Sequence, residues 1–170
     1  FIDADRGDVG LLPKSECIDA ADPSDSACDA LDLAGTPRSL DGRLDGVRRI
    51  DMGAREFDHI LLEIEASLEP GGWLRVTTTG TPGLFVFLLA ANEHAPTCLE
   101  PYGPIFLDLA HSEWLPVGII PDQGQLVVEL PLPEPPLLPA GNYGFQEIGM
   151  TPDFARGNVS KAVPLGSLLP

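Results

Sequence analysis

The chain has 170 residues, 44% of them hydrophobic, enough to bury a core in one large or two small domains. Its 26 acidic against 10 basic residues give a formal charge of -16, which repels nucleic acid and anionic membrane, because binding to either begins with Lys and Arg neutralising phosphates. Divalent cations, which prefer carboxylate and carbonyl oxygen, are the natural small partners of such a surface, and no apolar run approaches the roughly 20 residues that span a bilayer.

The chain opens on Phe1-Ile2-Asp3, with no initiator Met and no basic leader before an apolar stretch, so we expect a processed or excised C-terminal portion with a signal peptide upstream. Next comes Asp3-x-Asp5-x-Gly7-Asp8. Carboxylates at alternating positions around a Gly bend suit two roles, convergence of Asp3, Asp5 and Asp8 on one calcium ion, or capping of turns by accepting backbone N–H bonds. It is not an EF-hand loop, since the Gly is misplaced and no Glu stands at the twelfth position.

Cys17 and Cys28 flank a short loop rich in Asp, Pro and Ser, where a disulfide is sterically easy and would suit an oxidising compartment; three buried free thiols are the alternative. Cys98 is left free or crosses to one of the other two. No Cys has a His or a second Cys at metal-ligand spacing, which argues against zinc. The run Asp19, Asp22, Asp25, Asp29 and Asp32 reads as a solvated acidic loop.

Four blocks then stand in order: Phe1 to Leu11, Ser15-Glu16-Cys17-Ile18-Asp19-Ala20, Asp32-Leu33-Ala34-Gly35-Thr36-Pro37-Arg38, and Arg49-Ile50-Asp51-Met52-Gly53-Ala54-Arg55-Glu56-Phe57. Together they resemble the closing coils of bacterial right-handed parallel β-helix proteins of the polymorphic outer membrane protein type and the choice-of-anchor Q domain family. The resemblance covers about a third of the chain and implies a secreted, extracellular or cell-surface setting. It also implies two kinds of partner, upstream β-helix coils or neighbouring copies of the chain that add head to tail into a filament.

Composition changes near Asp58. Residues 1–58 hold 14 of the 26 acids, 7 of the 10 bases and only 3 of the 18 prolines, and such a shift marks a module boundary. We therefore expect terminal β-helix coils and a cap over 1–58 and an antiparallel β-sandwich over 59–170, an all-β chain throughout.

The second stretch reads as strands separated by turn chemistry. His59 to Ala66, Trp73 to Thr79, Leu84 to Leu89, Ile105 to Leu109, Trp114 to Ile119, Gln125 to Leu130, Tyr143 to Met150 and Val159 to Val163 are rich in β-branched, aromatic or alternating apolar residues. Leu84 to Leu89 is apolar on both faces and predicts a central strand. Glu69-Pro70-Gly71-Gly72 and Gly80-Thr81-Pro82-Gly83 predict hairpin turns. Pro131 to Pro139 reads as a polyproline-type surface crossover.

Chemistry is sparse. His59, His94 and His111 have no nucleophile in recognisable context, and surface or edge hydrogen bonding is the expected role of each. Trp73, Trp114, Tyr102 and Tyr143 are read as core residues, with a stacking platform for sugars as the alternative. The expectation is a non-enzymatic structural or adhesive extracellular module, in contact with surface polysaccharide or its own parent. The rivals are the terminal region of a polysaccharide-lyase type β-helix enzyme and a carbohydrate-binding domain.

Overall fold

The computed structural model describes residues 4–6, 9–12, 14–22, 30–67, 69, 71–132 and 142–168. Their ladders are all antiparallel and build two facing sheets. Among the described residues, no helix is long and apolar enough to cross a membrane.

The smaller sheet holds β1 (Ile60–Ser67), β2 (Trp73–Gly80) and β6 (Gln125–Pro131) in the order β1-β2-β6. Its alternation is the reason it forms: Ile60, Ile64, Leu74 and Val76 are buried on one face, while Glu63, Glu65 and Glu129 stand on the other. The β1–β2 hairpin is the expected one, closed by Gly72 N–H on the Glu69 carbonyl at 2.8 Å.

The larger sheet is organised by β3 (Phe85–Leu99). The first half of β3 lies between β5 (Glu113–Ile119) and β7 (Tyr143–Met150); its second half pairs with β4 (Gly103–Leu107). Short strands β8 (Gly157–Val159) and β9 (Val163–Pro164) pair with β7. Val86, Leu88 and Ala90 face the smaller sheet, and Leu89 and Ala91 face the opposite way against Ile105, Leu107 and Ile148. Burial on both faces explains the unbroken apolar run, and the central position expected for Leu84 to Leu89 holds.

One turn expectation differs from the structure. Gly80 to Gly83 is no hairpin: β2 and β3 belong to different sheets, and the segment is tied elsewhere by Gly80 N–H to the Gly124 carbonyl and Thr81 N–H to the His59 carbonyl. A Cβ at Gly80 would lie 2.2 Å from that His59 oxygen, so only glycine permits the approach. His94 is inside β3 at its exposed bulge. Most of the proline-rich crossover, residues 133–139, lies outside the described residues.

The first stretch departs further. The described residues before Ile60 show no parallel ladder; they form turns, one short 3-10 turn (Ala4–Arg6) and two isolated antiparallel bridges, Leu31 to Pro37 and Leu40 to Arg49. The expected β-helix coils are not seen among the described residues there; many of the amides go to carboxylate side chains and others to local turn carbonyls. The stretch also has no core of its own at Leu40, which is 1% exposed and packs with Leu89, Ile105, Ile148 and Val159 on the outer face of the larger sheet.

Candidate functional site

Around Asp51 and Glu56 a set of carboxylates replaces the missing ladder. Asp51, 2% exposed, accepts the Asp19 amide on Oδ1 at 2.7 Å and the Phe57 amide on Oδ2. Glu56 accepts the Asp51 amide on Oε2 at 3.0 Å, and its Oε1 lies 3.3 Å from Arg38 Nε. Asp32 accepts Ala34 and Thr36 amides on Oδ1 at 2.7 and 2.8 Å, and the Glu56 amide on Oδ2 at 2.9 Å. Asp41 accepts the Asp45 and Gly46 amides on its two oxygens. A short acidic side chain carries enough acceptor sites for several orphan amides, so an irregular backbone is satisfied without a partner strand.

Gly42 joins this set to the sheets. Its amide donates to Asp19 Oδ1 at 3.2 Å and its carbonyl accepts from His59 Nε2 at 3.0 Å. Because a carbonyl only accepts, His59 carries its proton on Nε2, which leaves Nδ1 to accept the Thr81 hydroxyl at 2.8 Å. A Cβ at Gly42 would meet Ile18 Cγ2 at 2.6 Å. Further links run from Arg156 to the Leu44 carbonyl at 3.0 Å, from Lys161 to the Ala34 carbonyl at 3.3 Å, and between Arg48 and Glu100.

Burial dominates the electrostatics. It pushes Asp19 up to about 6 against the Gly42 amide, Glu56 up to about 8 against the Asp51 amide, and Asp58 up to about 8, with only the Ile60 amide opposing among its hydrogen bonds. Inside the two-layered body, burial raises Glu147 to about 7 although Thr78 donates to its Oε1 at 2.6 Å. Burial lowers His59, keeping the imidazole neutral. Next to Glu147, the buried Gln146 donates to the Pro104 and Ser160 carbonyls and accepts the Phe106 amide, fastening β7 to β4 and to the turn after β8.

The expected site residues fall out as follows. Asp3 and Asp8 of the calcium expectation lie outside the described residues, and Asp5 is exposed in its 3-10 turn. Among the described residues no group of three or more His, Cys, Asp or Glu is placed to hold a metal ion. The Cys17–Cys28 disulfide is not formed: Cys17 is a free thiol whose carbonyl accepts the Met52 amide at 2.8 Å and whose amide donates to Ser15 Oγ, so its turn is fixed by hydrogen bonds and not by a cross-link. Cys28 lies outside the described residues, and Cys98 is disulfide-bonded.

The acidic loop is not uniformly solvated, since Asp19 and Asp32 are buried, drawn in by the amides they accept. His59 is likewise buried rather than at the surface, while His94 is exposed and His111 pairs with Asp108 at 2.8 Å. The aromatic residues do not assemble into one platform. Trp73 lies under the Arg75 guanidinium at 4.6 Å, Trp114 is edge-on to Phe87, and Tyr102 and Tyr143 pack on opposite faces of the larger sheet. Asn158 is fully buried.

Sequence reasoning missed Glu147 and Gln146, which sit in a strand with no local signal of their role. The Asp51 and Glu56 pair had one, since both belong to the block Arg49 to Phe57. Compared with protein-family models, curated proteins and solved structures, the chain matches none.

Proposed function

We propose that the chain is a non-enzymatic structural or adhesive module of an extracellular, cell-surface protein, in which the carboxylate-bonded stretch caps the β body and docks it to β-helix coils. One observation carries the reading: Asp32, Asp51 and Glu56, the carboxylates nearest to an acid–base cluster, are each committed to main-chain amides. A carboxylate that satisfies two buried amides fixes the backbone, and drawing it into proton transfer would leave those donors unpaired at a cost of about 1–3 kcal/mol each. The four-block resemblance supplies the extracellular setting and the β-helix partner.

The test is turnover against stability. Incubated with polyuronates and neutral glycans, the chain should release no reducing ends or unsaturated uronates beyond buffer, while Glu56→Gln and Asp58→Asn should shift the melting temperature. Turnover that disappears in either variant with the melting temperature unchanged would overturn the reading.

A further inference from the structure

In a chain of net charge -16 only ten side chains are cationic, yet two of them, Lys14 and Arg43, line one cavity of about 490 Å³. The cavity lies between the turn carrying Ser15 and Glu16 and a wall made by Ile18 and Phe57, with the His59–Thr81 pair beside them. Arg43 spends one nitrogen on the Ile18 carbonyl at 2.8 Å, and its Nε is 3.9 Å from Asp19. Lys14 is exposed and makes no hydrogen bond or ion pair with any described residue.

The backbone at Lys14 is the second observation. Ser15 N–H closes a four-residue turn on the Leu12 carbonyl at 3.0 Å, and Lys14, the third residue, has φ 72. That left-handed position suits glycine, and a long side chain there costs conformational energy. Strain of this kind clusters at ligand-binding sites, and Lys14 shares it with Asp19, Leu44 and Phe154.

We propose that this cavity binds a small hydroxylated carboxylic acid of the hexuronate type. Lys14 and Arg43 hold the carboxylate, because both are donors with free N–H groups and, among the described residues, no other Lys or Arg lines the cavity. Glu16 takes a hydroxyl on its carboxylate oxygens, the Ser15 hydroxyl exchanges a further bond, and the apolar face of the ring lies on Ile18 and Phe57. The site stands apart from the proposed structural role, since none of the carboxylates that fix the backbone is asked to bind.

Calorimetry and thermal shift of the full chain with three probes test it: galacturonate, glucose, and cyclohexanecarboxylate. Galacturonate should bind and raise the melting temperature, and the neutral sugar and the hydroxyl-free acid should do so much less. Lys14→Gly removes the ammonium while relieving the turn, so the variant should be at least as stable as the parent and bind galacturonate about tenfold more weakly or worse. Arg43→Gln should weaken it as well. Equal responses to galacturonate and glucose would overturn the assignment of the cations, equal responses to the two acids would overturn the hydroxylated class, and unchanged binding in a stable Lys14→Gly protein would overturn the site.

Discussion

Two regions of this molecule solve the same backbone problem by different means. Between β1 and β9 most amides are paired strand to strand, and the side chains are left to fill the core between and behind the sheets. Before β1 the amides of Asp19, Thr36, Gly42, Asp51, Glu56 and Phe57 go to carboxylate oxygens. A ladder tolerates many side chains because the bond is made by the backbone of each residue. A carboxylate network depends on each named side chain, so single substitutions should be far more damaging in the first region than on the outer face of the smaller sheet.

The strongest way to break that contrast is Asp51→Ala. It strips acceptors from the buried Asp19 and Phe57 amides, and at about 1–3 kcal/mol for each unsatisfied donor the expected loss is on the order of 2–6 kcal/mol in urea unfolding. Because Leu40 shares a core with Leu89 and Ile148, the variant should still unfold in one transition, with both regions lost together. An exposed control on the sheet, Thr79→Ala, should stay within about 0.5 kcal/mol. A loss for Asp51→Ala no larger than the control's would show that the network does not hold the first region.

A smaller effect should come from pH. Asp19, Glu56, Asp58 and Glu147 have folded values of about 6, 8, 8 and 7, raised from 3.8, 4.5, 3.8 and 4.5. Between the unfolded and folded values the native state binds more protons than the unfolded chain. Stability from these groups is therefore full below the unfolded values and is lost as pH rises towards about 8. The melting temperature should fall between about pH 5 and pH 8.5, and Glu147→Gln, which imitates the protonated acid, should reduce the slope. A melting temperature that rises across this window would contradict the assigned burial.

The smallest expected effect sharpens the comparison at the cysteines. Alkylation of the native chain under denaturing, non-reducing conditions should label Cys17, whereas the Cys98 peptide should become accessible only after reduction. Recovery of Cys17 in a cross-linked peptide would mean that the first region is held by a covalent loop as well as by carboxylates.

What the sequence determined by itself was the part governed by period and local turn chemistry. Alternation in Ile60 to Ala66 and Trp73 to Thr79, the doubly apolar Leu84 to Leu89 and the Pro-Gly-Gly turn after Glu69 are short-range properties, and each produced the expected strand or hairpin. The block Arg49 to Phe57 was also visible as a unit. What only the tertiary structure decided was where each polar side chain found its partner. Asp51 and Asp19 are 32 residues apart, Asp32 and Glu56 are 24 apart, and Thr78 and Glu147 are 69 apart. No local pattern encodes such pairs, because a carboxylate's burial depends on amides brought to it by distant chain. For the same reason the turn at Gly80 could be read as a turn but not as the passage from one sheet to the other: its partners, Gly124 and Ile120, lie about 40 residues further on.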